Sequence, residues 1–299
     1  MKITFKIIAS ILKTAFNEWK SKDPSKESAV IAYYAIFSLP GLLVVIVTIA
    51  GYIFGRDAVD QHLAGQISAT FGPETAEEIQ NMITRASETK KTVWATILGA
   101  ATMLVGATGV FAQFQKSLNI IWEVKADPKK SGILKLLRAR LFSFGLVVAI
   151  AFILIVSLVI STMLTALGNW VNSHFSETFM IVLQGINFIT SLLILSVLFS
   201  LMFKFFPDAK IKWKDVWIGS LVTALLFETG KFGLTLYFGK ANPGTGYGAA
   251  GSIILILLWV SYSSMIVFYG AEFTRAFSNR NTGKAPPTEV AHAEPGRET

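Results

Sequence analysis

AAGSIILILLWVSYSSMIVFYGAEF, residues 249–273, decides the class of fold, because Glu272 is the only charged residue in it and the run exceeds the roughly 20 residues a helix needs to cross hydrocarbon. Working outward, the chain carries further apolar runs at Ala29–Phe54, Thr92–Trp122, Leu141–Leu167, Phe179–Phe206 and Val216–Phe238. The reading is an all-α integral membrane protein with six transmembrane helices. Lysine and arginine gather on alternate connections: Lys2 to Lys26, Lys125 to Arg140, Lys210 to Lys214, and Arg275 to Lys284. The other connections hold only Arg56, Arg85, Lys90, Lys91 and Lys240, beside Asp57, Asp60, Glu74, Glu77, Glu78 and Glu88. Basic residues stay in the cytoplasm, so both termini are expected there. Tryptophan agrees, with Trp94 and Trp170 at the outer border and Trp19, Trp122, Trp213 and Trp217 at the inner one.

By length alone, 299 residues suggest one or two soluble domains, but 53% hydrophobic residues in continuous runs overrule that prior. The net charge of +8 is spread over several juxtamembrane loops, which fits orientation and anionic headgroups better than a nucleic-acid surface. There is no cysteine, hence no disulfide, thiol catalysis or cysteine metal site. The expected organisation is an amphipathic helix on the cytoplasmic face over 1–28, a membrane domain over 29–277, and a disordered cytoplasmic tail over 278–299. The first segment is not expected to be a cleaved signal: Lys6 and Lys13 interrupt it, while Phe5, Ile8, Leu12, Ala15 and Trp19 recur at helical spacing. Asp23 and Pro24 form a cap and first-turn pair for the next helix. A small external helical cap is expected over about 55–91, from Val59, Leu63 and Ile67 and then Ala76, Ile79, Ile83 and Ala86. The second span would be roughly 46 Å long and should tilt or project into the cytoplasm. No internal repeat is evident.

Charges inside the spans are the candidate chemistry. Glu228 falls near the middle of its span with Lys231 three residues on, a spacing at which the two can neutralise each other. They make either a proton- or headgroup-handling site in a hydrated cavity or a structural ion pair. Lys116, Asn119 and Glu123, with Gln113 and Gln115 close by, draw a polar stripe along the inner half of the second span, unfavourable against lipid. Arg138 and Arg140 open the third span at the same depth and can pair with phosphate, or merely enforce topology. Gly99, Gly106 and Gly109 make a small-residue surface for close helix packing. GYGAAG at 246–251 matches the dinucleotide pattern formally, but no strand precedes it and no acidic partner follows. A Walker A loop is absent, and His62, His174 and His292 are too dispersed for a triad or metal cluster. No catalytic residue, metal or cofactor is therefore expected.

Four stretches strongly resemble the YihY/BrkB family of bacterial inner-membrane proteins: SAVIAYYAIFSLPGLL at 28–43, GATGVFAQFQKSLNIIWEV at 106–124, FPDAKIKWKDVWIGSLVTALLFETGKFGLTLYF at 206–238, and YGAAGSIILILLWVSYSSMIVFYGAEFTRAF at 247–277. The resemblance implies six helices, cytoplasmic termini, residence in the inner membrane and no established reaction. It singles out Tyr33, Tyr34, Pro40, Gln115, Asn119, Trp122, Glu228, Lys231, Tyr247, Gly248, Gly270, Glu272 and Arg275. Glu272 and Arg275 also admit a simple interfacial ion pair. Similar proteins have been labelled ribonuclease BN, linked to serum resistance, or proposed to move lipid or lipopolysaccharide precursors. The nuclease label conflicts with the absence of histidine- and aspartate-rich metal motifs. The leading expectation is a transporter or flippase-like handler of an anionic lipid or amphiphile, with headgroups entering near Lys116, Arg138 and Arg140 and no nucleic-acid partner. The alternative is a non-transporting scaffold or envelope-integrity factor. Substrate and oligomeric state are not set by these residues.

Overall fold

A computed structural model describes residues 5–55, 59–60, 63–65, 67–68, 73–88, 93–126, 177–241, 243–288 and 291–293. Its helices are α1 Phe5–Ser21, α2 Pro24–Phe54, α3 Pro73–Glu88, α4 Val93–Ile121, α5 Glu177–Phe205, α6 Trp213–Ala241 and α7 Gly251–Thr282, with strands β1 Val124–Ala126 and β2 Ala291–Ala293. Three of the helical stretches, Phe188–Phe205, Trp213–Ala241 and Gly251–Asn281, are long and apolar enough to cross a membrane. Leu221, Leu225, Phe232 and Leu236 form an exposed line along α6, and Ile186, Ile189 and Leu193 do the same on α5. Such stripes call for an apolar solvent, since water would penalise them. The expected third span, 141–167, with Arg138 and Arg140, lies outside the described residues.

The chain divides into two compact units. The first comprises Met1–Lys22, Leu118–Glu228 and Val267–Thr299. Here α1 lies against the C-terminal part of α7, with Ile11, Ala15, Phe273 and Phe277 buried together. Tyr269 donates from its hydroxyl to the Leu12 carbonyl at 3.2 Å. The apolar face of α1 is thus wider than the amphipathic reading required: Ile7, Ile11 and Ala15 meet protein, while Ile8 and Phe16 stay exposed with Lys13 and Lys20 flanking them. In the same unit α6 and α7 approach through small residues. A Cβ at Gly219 would collide with Thr274, and one at Gly270 with Thr223. Each threonine returns its hydroxyl to the glycine carbonyl four residues earlier on its own helix, at 2.7 Å in both cases. The polar groups are therefore satisfied without lengthening the contact.

The described residues of the expected disordered tail over 278–299, namely 278–288 and 291–293, are placed in regular contacts. Helix α7 continues to Thr282, and Ala291–Ala293 pairs antiparallel with Val124–Ala126. Lys210 and Thr288 complete the strap with backbone bonds to Pro286 and Asp208 at 2.8 and 2.9 Å. A polar segment without a core of its own is ordered by lending its backbone groups to two neighbouring loops.

The second unit comprises Asp23–Ser117 and Thr229–Ile266. Pro24 opens α2 as expected, but Asp23 does not cap it through its side chain. Its backbone turns left-handed, at φ 48°, and its carbonyl accepts from Lys26 and Glu27 instead. Helices α2 and α4 meet where Gly106 faces Ser38 and Gly109 faces the Tyr34 ring, which is the packing role expected of those glycines. Ile79 and Ile83 of α3 are buried with Val47, Val59 and Ile256. The first five residues of GYGAAG lie in a 3₁₀ turn, Thr245–Ala250, that follows helix α6 rather than a strand, and Gly251 opens α7. Gly251 sits so close to Gly244 that a Cβ would come 3.0 Å from its carbonyl carbon.

Candidate functional site

Helix α4 ends at Ile121, with the Leu118 and Ile120 carbonyls taken by the backbone N–H groups of Trp122 and Glu123 and the Ile121 carbonyl left beyond the last turn. Two cations meet that oxygen. Lys22 donates to the Ile121 carbonyl at 3.3 Å, and Arg275 donates to the same oxygen at 2.6 Å. Positive charge is favourable at that end of a helix dipole. The cations in turn collect carboxylates. Lys22 Nζ lies 2.7 Å from Glu272 Oε1 and 3.8 Å from Glu18 Oε2. Arg275 spreads its guanidinium over Glu123 at 2.8 Å, Glu18 at 3.3 Å and Glu272 at 3.7 Å. Lys284 adds a contact of 3.5 Å to Glu123. The cluster joins α1, the end of α4 and α7, and all its members belong to the first unit.

Burial grades across it. Glu272 is only 1% exposed, Lys22 18% and Arg275 11%, whereas Lys284 is open to solvent. Glu123 holds a left-handed backbone, φ 54°, which turns the chain out of α4 toward Arg275. Burial opposes its charge, but Arg275, Lys284 and Lys22 together outweigh that effect and hold its carboxyl below the usual glutamate range. Beside the cluster is a cavity of about 310 Å³ lined by Ser10, Ile11, Thr14, Glu18, Glu272, Arg275, Ala276, Asn279 and Arg280. It offers both signs of charge together with hydroxyl and amide groups. Among the described residues no group of His, Asp or Glu side chains is arranged to hold a metal ion.

The expected site residues separate. Glu123, Glu272 and Arg275 come together in the cluster. Asn119 is engaged elsewhere: its amide donates to Asp208 Oδ2 at 2.8 Å and its oxygen accepts from the Asp208 backbone N–H at 2.8 Å. Glu228 is half-buried and accepts from Ser191 Oγ at 2.7 Å. Lys231 is exposed on α6, Lys116 is exposed on α4, and Gln115 is partly exposed. Gln113 and Ser117 converge on Glu27, with Ser117 donating at 2.7 Å.

Sequence reasoning missed Glu18 and Lys22, counting Lys22 only as a topology charge, although their spacing of four already places them on one face. It also missed Asp215, fully buried in the first turn of α6 and bonded by Ser278 at 3.0 Å and Asn281 at 3.1 Å. No local signal marks Ser278 and Asn281 as the partners of Asp215, since they are 63 and 66 residues away along the chain.

Known proteins corroborate the membrane reading. The family model described as virulence factor BrkB matches residues 15–295. A "UPF0761 membrane protein" of Saccharophagus degradans is 29% identical over 269 residues, covering 89% of this chain and 59% of the relative. One of Teredinibacter turnerae is 27% identical over 278 residues, covering 92% and 62%. One of Yersinia pestis is 33% identical over 214 residues, covering 70% and 67%. The chain thus spans about three fifths of the length of the first two relatives. No solved structure matches it.

Proposed function

This chain belongs to the virulence factor BrkB family of membrane proteins, and from that premise we propose that it handles amphiphiles with phosphate-bearing headgroups at the inner leaflet of a bacterial inner membrane, as a flippase-like transporter rather than an enzyme. In this reading six helices span the bilayer, α3 belongs to an external cap, and both termini are cytoplasmic. The observation that carries it is the buried ionic cluster around Glu272 and Arg275, opening into a cavity at the C-terminal end of α7. Burying charge in a helix end is costly unless the charges are paired or hydrated, and such costs concentrate at working sites. Lys116, exposed on α4, is a further cation assigned to the phosphate in this reading. From the sequence, Glu228, Lys231, Arg138 and Arg140 are assigned to the same headgroup-handling role, the two arginines lying outside the described residues.

The test is lipid movement in vesicles containing the purified protein, with and without a proton gradient. Transport predicts accelerated headgroup exchange, lost when Glu228 and Lys231 are replaced together by apolar residues in protein that still folds. No movement under either condition overturns the proposal. A second reading, a non-transporting envelope scaffold, is favoured by the reciprocal Asn119 and Asp208 bonds, which look built to hold two segments still. It predicts that the same double replacement leaves the cellular phenotype intact.

A further inference from the structure

Glu272 uses only one of its carboxylate oxygens. Oε1 lies 2.7 Å from Lys22, but Oε2 is buried and accepts no hydrogen bond among the described residues. Arg275 Nε lies 3.7 Å from it, beyond hydrogen-bond reach. A buried carboxylate oxygen left without a donor has lost its water and gained nothing in return, so native proteins seldom keep one without a reason. This side chain also lines the 310 Å³ cavity. The same wall presents Glu18, the hydroxyls of Ser10 and Thr14 and the amide of Asn279, with the exposed Arg280 alongside.

We infer that this cavity binds a primary ammonium carrying a nearby phosphate, the phosphoethanolamine class of headgroup, with the ammonium donating to Glu272 Oε2 and the phosphate meeting Arg280. The chemistry of the wall decides the polarity. An ammonium brings three donors, which match the unpartnered Glu272 oxygen, the Glu18 carboxylate and the hydroxyls of α1. A phosphate placed deep instead would face two carboxylates. Arg275 cannot draw it inward, since its guanidinium is already spread over Glu18, Glu123, Glu272 and the Ile121 carbonyl. Arg280 is exposed and is the arginine in this wall able to accept a new anion. The inference rests on the reading that headgroups arrive at this end of the molecule, but binding is measured separately from movement.

The test is calorimetric titration of the purified full-length protein with phosphoethanolamine, ethanolamine and inorganic phosphate. It is paired with native mass spectrometry of protein reconstituted with phosphatidylethanolamine or phosphatidylglycerol. Phosphoethanolamine should bind saturably and at least about tenfold more tightly than phosphate. Glu272→Gln should abolish that preference, and Arg280→Gln should weaken phosphoethanolamine while sparing ethanolamine. Ser10→Leu fills the cavity from the exposed face of α1 without touching an ion pair. It should weaken binding even if Glu272→Gln fails to fold. Retention of phosphatidylethanolamine alone assigns the site to lipid, and binding of the free compound alone assigns it to a soluble ligand; both uphold the chemistry. Equal affinity for phosphate, unchanged binding in Ser10→Leu, or no binding of any amine overturns it and leaves the cavity to water. Binding without lipid movement would defeat the transport proposal alone, and movement without binding would defeat this inference alone.

Discussion

Lys22 and Glu272 approach to 2.7 Å from helices far apart in the chain, and the carboxylate is almost wholly buried. Replacing Lys22 by methionine leaves that charge short of its strongest partner, and losses of about 3–5 kcal/mol are expected when one half of a buried pair is removed. Replacing both residues by apolar ones of similar size should recover most of the loss. Thermal unfolding of the two single variants and the double variant measures this coupling; additive losses would show that the pair does not act together. Glu123 gives a second residue-level prediction. Its folded carboxyl titrates below the ordinary glutamate range because Arg275, Lys284 and Lys22 overcome its burial. A depressed carboxylate contributes stability above its unfolded pKa and loses it as pH falls through the folded value. Wild-type protein should therefore lose more stability than Glu123→Gln between about pH 5 and pH 3. Equal acid sensitivity of the two would refute the assignment.

The pairing of α6 with α7 rests on two glycines that face threonines across the contact. Alanine at Gly219 or Gly270 pushes a methyl group into Thr274 or Thr223, an overpacking that costs about 1–3 kcal/mol. Gly233, on the same helix α6, has nothing within 4 Å of where a Cβ would be built. Alanine there should be neutral or stabilising, by up to about 1 kcal/mol from helix propensity alone. Melting temperatures of the three variants separate packing from propensity, and equal effects at Gly219 and Gly233 would exclude the close contact.

For the whole molecule, orientation is the property most open to direct test. The chain contains no cysteine, so single introduced cysteines report their side without background. Ser21→Cys, at the end of α1, should react with a membrane-impermeant thiol reagent only in inverted vesicles. Thr84→Cys, exposed on α3, should react in intact spheroplasts. The opposite pattern would reverse the proposed topology and remove the ionic cluster from the proposed inner leaflet.

Hydropathy and charge distribution, read residue by residue, determined the class of protein, because the bilayer demands long apolar helices whose backbone groups are satisfied internally. Helices α2, α4, α5, α6 and α7 lie where the apolar runs placed them, and Gly106 and Gly109 pack as their size suggested. The partners of the charges were not legible. Glu272 and Arg275 read as a local pair three residues apart, yet their strongest contacts are Lys22, Glu123 and the Ile121 carbonyl. Asn119 read as part of a polar stripe shielded from lipid, but that its partner is Asp208, 89 residues on, was not legible. Residues 291–293, in a tail without an apolar pattern, pair through their backbone with β1. Periodicity reports which face of a helix avoids water, a local property. Which side chain answers a buried charge depends on distances closed only when remote segments fold together, and that was decided by the tertiary structure.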